Sequence, residues 1–257
     1  QVLILCPTRE LAVQACDEIR KFAKYKPFLK VVPIYGGQPI ERQFTALRGG
    51  AQIVVGTPGR VMDHMRRGTL KLDTLHMIIL DEADEMLSMG FREDIETILK
   101  DVPQERQTIL FSATMSPEIM RITKQYQTDP ELIRITREQL TVPNIEQTYY
   151  EVPVGKKTEV LSRLLDVYNP SRSIVFCNTK KQVDELVEEL HARGYQARGL
   201  HGDMKQGERT QIMNGFRRGS IDILVATDVA ARGIDAEDIA AGFYIGISPG
   251  GGYFVPP

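Results

Sequence analysis

The chain has 257 residues, 42% apolar and 26% charged, a composition that excludes disordered and fibrous classes and leaves room for one large core or two compact ones. Lys and Arg number 32 against 34 Asp and Glu, a formal net charge of −2, so no global basic field draws the protein onto nucleic acid and any such site must be built locally. Cys6, Cys16 and Cys177 are odd in number and form no C-x-x-C pair or Cys/His cluster, which argues against disulfides and zinc and makes a reducing, cytoplasmic setting the expectation.

No apolar run approaches the ~20 residues needed to span a bilayer, so no membrane association is expected. Residues 1–6 read as a buried strand with no lead-in, and residues 250–257 stop in a glycine and proline run. The expectation is a fragment cut at both ends.

Short apolar runs alternate with longer segments of helical period. Strands are expected at 2–6, 31–35, 52–55, 77–80 and 108–111, with helices at 10–25, 40–47 and 92–100 between them. The strands are continuously apolar, which suits a parallel sheet covered on both faces. After a polar stretch with little apolar period, a second series follows: helix 156–168, strand 173–177, helix 180–193, strand 197–200, helix 206–218 and strand 221–226. The reading is α/β, with a first domain over 1–136, a linker at 137–146 and a second domain over 147–257.

Open parallel sheets bind ligands where loops leave the carboxyl ends of the strands, and the chemically suggestive residues stand there. The run ending at Leu80 passes straight into Asp81-Glu82-Ala83-Asp84, and adjacent acids at a buried strand end are costly unless something compensates. One reading is a Walker-B arrangement, in which Asp81 holds Mg²⁺ on nucleotide phosphates and Glu82 orients the attacking water. The other is that Asp81 caps the short helix that follows. Ser112-Ala113-Thr114 closes the next strand, and Ser116-Pro117 beyond it makes a good helix start.

Thr57-Pro58-Gly59-Arg60 and Pro7-Thr8-Arg9-Glu10 each lie between a strand and a helix. Such helix starts bind phosphate through backbone N–H groups, or they are plain helix caps with a solvated arginine. Gly36-Gly37 follows a third strand. Contacts of this kind read nucleic-acid backbone and not bases. His201 and Asp203 offer too few ligands for a metal and read better as loop contacts, while Lys21, Lys24, Lys26 and Lys30 read as a solvated face.

Asp81-Glu82-Ala83-Asp84 together with Ser112-Ala113-Thr114 resembles the second and third signature motifs of DEAD-box RNA helicases. The other motifs of that family are matched in order by Pro7-Thr8-Arg9-Glu10-Leu11, Gly36-Gly37 and Thr57-Pro58-Gly59-Arg60. They continue with 174–179, His201-Gly202-Asp203, Gln206 with Arg209, and 226–235. The resemblance covers roughly 1–239 and implies two RecA-like domains, both truncated, that use ATP and Mg²⁺ to unwind short RNA duplexes. It assigns Pro7, Thr8, Arg9, Gly37, Thr57, Pro58, Gly59, Arg60, Asn178, Thr179 and Thr227 to RNA. Asp81, Glu82, Ser112 and Thr114 go to catalysis, Asp81 to the metal, Asp81, Glu82, Gly233 and Asp235 to the nucleotide, and Asp84 and Arg232 to the interdomain face.

No G-x-x-x-x-G-K-S/T loop, the usual cradle for β- and γ-phosphates, occurs in the 257 residues; at Gly155-Lys156-Lys157, Tyr150 stands where the first glycine belongs. The family's H-R-x-G-R-x-x-R motif is also absent, with Pro256-Pro257 where His and Arg belong, and 240–257 depart from the pattern throughout. An inactive chain is therefore the expectation. The alternative is a non-catalytic RNA-binding fragment. A metal-dependent phosphohydrolase built on Asp81, Glu82 and Asp84 lacks the further ligands such sites use.

Overall fold

The computed structural model describes residues 1–135, 146–153, 155–231 and 239–245. Contacts divide the chain into two compact units, the first Gln1–Leu132 and the second beginning at Ile133. The expected linker, 137–146, lies outside the described residues apart from Glu146.

In the first unit the strands are β1 (Val2–Leu5), β2 (Val31–Ile34), β3 (Ile53–Gly56), β4 (Met77–Leu80) and β5 (Gln107–Leu110). All pair in parallel, in the order β2-β3-β1-β4-β5. The helices are α1 (Arg9–Phe22), α2 (Glu41–Arg48), α3 (Pro58–Arg66), α4 (Ala83–Ser88), α5 (Arg92–Asp101) and α6 (Pro117–Tyr126). Alternation along the strands explains the continuous apolar runs, because both faces are buried. Leu3 and Leu5, with Ile34, Val54, Ile78 and Leu80, pack against Val61, Met86, Ile95, Ile98 and Ile119 from α3 to α6. Ile4, Cys6 and Val55 face the other way onto Ala12 and Cys16 of α1.

Helix starts follow their capping chemistry. Thr8 Oγ1 accepts the Leu11 N–H at 3.2 Å, Ser116 Oγ accepts that of Ile119 at 3.3 Å, and Pro58 and Pro117 open α3 and α6 where a missing N–H costs nothing. Helix α1 ends at Phe22, three residues before the expected boundary, and a single 3-10 turn, Ala23–Tyr25, finishes it.

The second unit repeats the scheme with α7 (Lys157–Tyr168), β6 (Ser173–Cys177), α8 (Lys180–Ala192), β7 (Ala197–Leu200), α9 (Gln206–Arg217), β8 (Ile223–Thr227), α10 (Asp228–Ala231) and β9 (Ala241–Tyr244). Its sheet is parallel, in the order β7-β8-β6-β9. One face packs Val175 and Val225 on Leu161, Val183 and Leu190; the other packs Ile174 and Leu224 on Ile212, Met213 and Phe216. Strand β9 lies inside the stretch that the sequence pattern leaves unassigned. It pairs with β6, and Tyr244 stacks on Phe176 with ring centroids 4.3 Å apart.

Gly56 sits where β3 meets the following helix. A Cβ there would lie 2.6 Å from Ile34 Cγ1, 2.7 Å from the Ile34 carbonyl oxygen and 2.9 Å from Val61 Cγ2. Backbone cannot yield as a flexible side chain does, so Gly56→Ala is expected to cost about 1–3 kcal/mol. A lowered urea midpoint would show it; an unchanged midpoint would mean that β2, β3 and α3 pack less closely than described.

Candidate functional site

The first sheet is level at its carboxyl edge. Ile34 stands opposite Gly56, Gly56 opposite Leu5, Leu5 opposite Leu80, and Leu80 opposite Leu110. The ladder continues one residue further: Thr57 N–H donates to the Ile34 carbonyl at 3.1 Å, Cys6 to Gly56 at 2.9 Å, Asp81 to Leu5 at 2.9 Å and Phe111 to Leu80 at 2.8 Å. The loops at 35–38, 57–60, 7–9, 81–84 and 111–114 therefore emerge side by side, in that order across the edge. The candidate nucleic-acid residues follow β2, β3 and β1, and the candidate nucleotide residues follow β4 and β5.

On the first half, Gly37 has φ +81° and lies under the Arg9 guanidinium, which a Cβ there would overlap. The positive φ demands glycine, while the overlap would be met by a shift of the flexible Arg9 side chain. This contact between two loops has no signature in the sequence beyond each residue's place after a strand. Arg60 donates from Nη2 to the Gln38 carbonyl at 3.0 Å, and its Nη1 is buried without a hydrogen-bond partner. Burial pulls its pKa below the usual value, with Asp63 opposing that shift. Thr8 uses its hydroxyl as a helix cap, whereas the buried Thr57, at the N-cap of α3, makes no side-chain cap bond.

On the second half, Asp81 is half-buried. Burial raises its carboxyl pKa, and a hydrogen bond from the Glu82 backbone offsets part of the shift. Asp81 does not cap the next helix: the N-cap of α4 is Glu82, in left-handed conformation at φ 51°, ψ 53°, with no side-chain cap bond. A non-glycine residue in that region is strained, and such strain concentrates at functional sites. The Cys6 thiol is pushed up by burial first and then by Asp81 and Glu82, so the two carboxylates place negative charge at this strand end. That is the environment in which a bound cation is stabilised.

Asp84 joins the two loops of this half. Its Oδ2 accepts both the Thr114 N–H and the Thr114 hydroxyl at 2.9 Å, and its Oδ1 accepts the Glu85 N–H at 3.2 Å. The Ser112 hydroxyl donates to the Thr114 carbonyl at 2.6 Å, and the Ala83 N–H to the Phe111 carbonyl at 3.0 Å. The Asp84 carboxylate thus ties the loop after β4 to the loop after β5.

In the second unit, Asn178 and Thr179 follow β6, and Thr227 ends β8 opposite Cys177. Thr179 Oγ1 accepts the Gln182 N–H at 3.2 Å, as a helix cap. Arg232, Gly233 and Asp235 lie outside the described residues. His201 Nε2 meets Asp184 at 3.2 Å, and Asp203 pairs with Lys180 at 2.6 Å, so both tie the loop after β7 to helix α8. Among the described residues no group of three or more His, Cys, Asp or Glu converges as a metal cage. The carboxylate of Asp81 is an oxygen donor of the kind Mg²⁺ takes, an ion that binds through one or two carboxylates and completes its shell with phosphate oxygens and water.

Two family models match the chain: DEAD/DEAH box helicase over residues 1–122 and helicase conserved C-terminal domain over residues 156–248. The DEAD-box ATP-dependent RNA helicase CshA of Geobacillus kaustophilus is 53% identical over 239 residues, which make up 93% of this chain and 51% of that protein. The chain thus spans about half the length of the curated relatives it matches. A DEAD box protein from the hyperthermophile Methanococcus jannaschii is 43% identical, with a TM-score of 0.52 over 97% of this chain and 67% of that one. Dbp5 of S. cerevisiae, bound to RNA and ADP BeF3, is 29% identical, with a TM-score of 0.84 over 96% of this chain and 63% of that one.

Two parallel sheets flanked by helices, with the motif loops at their strand ends, define a pair of RecA-like domains. The chain belongs to the DEAD-box helicases of superfamily two. No helix among the described residues is long and apolar enough to cross a membrane.

The raised carboxyl pKa of Asp81 gives a signed pH effect. Above its folded pKa the buried charge opposes folding, and below the ordinary carboxylate range the group is neutral in both states. Asp81→Asn is therefore expected to raise the melting temperature at neutral pH without metal, by a margin that shrinks to nothing as the pH falls through that range. A pH-independent margin in thermal melts would show that desolvation of the charge is not its source.

Proposed function

We propose that this chain is the part of an ATP-dependent RNA helicase that grips one RNA strand by its backbone while ATP, with Mg²⁺, is held and hydrolysed beside it. The observation that carries the reading is the level carboxyl edge of the first sheet, which sets the two groups of loops next to each other in separate halves. Support for RNA and nucleotide as ligands comes from Dbp5, solved with RNA and ADP BeF3.

In this proposal the backbone N–H groups and side chains of Pro7, Thr8, Arg9, Gly37, Thr57, Pro58, Gly59 and Arg60 hold consecutive phosphates, with Asn178, Thr179 and Thr227 extending the grip from the second unit. Readout of phosphate carries little sequence information, and preference for RNA over DNA comes from the 2′-hydroxyls. Asp81 would hold Mg²⁺, whose chemistry there would be to neutralise charge on the nucleotide's phosphates. Glu82, turned out of the helix by its left-handed backbone, orients the attacking water. The Asp84 bonds to Thr114 tie the metal-side loop to the loop after β5, so a change at one is felt at the other. ATP-driven closure of the two units on RNA then separates short duplexes, with Arg232, Gly233 and Asp235 acting at the closed nucleotide site as the family pattern implies.

A second reading, non-catalytic RNA binding, is favoured for the 257 residues by themselves, because they hold no G-x-x-x-x-G-K-S/T loop. Loss of charge stabilisation at a transferring phosphoryl group costs on the order of 10³–10⁵ in rate for one arginine alone. The chain is accordingly expected to bind RNA and to release no phosphate above background with ATP, RNA and Mg²⁺. Turnover matching that of a longer protein carrying the loop would contradict this.

Arg60→Ala is expected to weaken binding of all RNA sequences alike and to lower the slope of log affinity against log salt by ~1. Titrations of several oligonucleotides at several salt concentrations measure both, and a sequence-selective loss would contradict a phosphate contact.

A further inference from the structure

Away from the motif loops, the end of α1 carries a surface that the proposed helicase chemistry does not use. Residues 20–30 contain Arg20, Lys21, Lys24, Lys26 and Lys30 and no acid, in a chain that is otherwise slightly acidic. Three aromatic rings stand among them almost fully in solvent: Phe22 is 84% exposed, Tyr25 86% and Phe28 70%. Large side chains left out singly need no explanation, but a cluster interleaved with one sign of charge marks an interaction site.

The backbone holds this segment in shape. Phe22 ends α1, the 3-10 turn Ala23–Tyr25 is closed by Lys26 N–H donating to the Ala23 carbonyl at 2.8 Å, and one further turn follows, with Leu29 N–H donating to the Lys26 carbonyl at 2.9 Å. Some of the basic groups are committed locally. Arg20 bonds Asp17 and the Val31 carbonyl, Lys21 bonds Glu18, and Lys30 reaches the Gly49 carbonyl. Lys24 and Lys26 pair with no carboxylate among the described residues; Lys24 Nζ instead lies 5.6 Å from the centre of the Tyr25 ring.

Helix α1 begins at the motif edge and runs back across the sheet, so at 1.5 Å per residue its far end lies about 20 Å away. The segment leads into Val31, which stands opposite Ile53 at the amino edge of the sheet. This surface and the motif loops therefore occupy opposite edges of one sheet.

We propose that Phe22, Tyr25 and Phe28, with Lys24 and Lys26, form a second binding site for single-stranded RNA. Protruding rings spaced three residues apart offer flat platforms on which successive unpaired bases stack, and the intervening ammonium groups meet the phosphates between them. An apolar protein partner would instead leave Lys24 and Lys26 desolvated without counter-charge, at a cost the rings would have to offset. Stacking is tolerant of base identity, so the site takes any unpaired strand. That it holds the RNA flanking the segment gripped at the motif edge rests on the proposed function; its stacking of unpaired bases rests on its own rings and lysines.

Photocrosslinking tests this on the full chain, with a thiouridine-labelled oligouridine of about 16 nucleotides and mapping of the crosslinked peptides. Crosslinks are expected within 22–28 and are expected to persist in Arg60→Ala, which separates this site from the motif edge. Tyr25→Ala should reduce them at least about fivefold, whereas Tyr25→Trp keeps the stacking platform and should retain them. Lys24→Glu with Lys26→Glu should abolish them. Lys24, Tyr25 and Lys26 are solvent-exposed, so the fold survives their substitution. Absence of crosslinks in 22–28, or an undiminished yield in Tyr25→Ala, would overturn the proposal. So would Tyr25-dependent retention on phosphatidylserine-containing vesicles without RNA crosslinking, since that would assign the surface to an anionic membrane.

Discussion

Because Ile34, Gly56, Leu5, Leu80 and Leu110 stand level across five parallel strands, the loops that follow them share one edge. A slip of one residue in any pair would withdraw a motif from that edge and turn the strand's buried residues to the opposite face. Register is strongly specified because both faces are buried. Leu3 and Leu5 are committed to the side of α3 to α6, while Ile4 and Cys6 are committed to α1. Close packing at Gly56 against Ile34 and Val61 fixes the same register from within. The apolar core thus does more than hold the unit together, since it sets the spacing between groups that carry charge.

The edge divides by chemistry. After β2, β3 and β1 the groups are donors and cations: Gly37 beneath Arg9, the helix start at Thr57, and Arg60 with one guanidinium nitrogen unpartnered. After β4 the groups are carboxylates, Asp81, Glu82 and Asp84. Local charge separation of this kind is compatible with a net charge near zero, and it is what the proposed nucleic-acid surface requires of a chain without a basic bulk. Asp84 and Thr114 then couple two loops through a carboxylate that accepts two hydrogen bonds on one oxygen.

Much of this was legible from the residues. Continuous apolar runs are the signature of strands buried on both faces, and the motif residues stand after strands because parallel sheets open there. What escaped the sequence has physical reasons. Strand β9, Ala241-Gly242-Phe243-Tyr244, contains a glycine and no β-branched residue, so its identity rests on pairing with β6 and on the Tyr244 ring against Phe176. The left-handed Glu82 carries no glycine or asparagine signal. It was the cap reading of Asp81 that failed there, because the helix begins one residue later than a cap at Asp81 requires. Thr8 shows the reverse, with a plain cap realised at a motif residue. The Asp84–Thr114 and Arg9–Gly37 contacts join loops distant in sequence, and periodicity holds no record of them.

Amide-resolved NMR of the chain during titration with single-stranded RNA tests the central claim most directly, because it reads each loop of the carboxyl edge separately. The account predicts that, among those loops, shifts appear at Thr8, Arg9, Gly37, Thr57, Gly59 and Arg60, while Asp81, Glu82, Asp84, Ser112 and Thr114 stay in place. Shifts confined to the loops after β4 and β5, or none anywhere along the edge, would contradict the division of the edge into a nucleic-acid half and a nucleotide half.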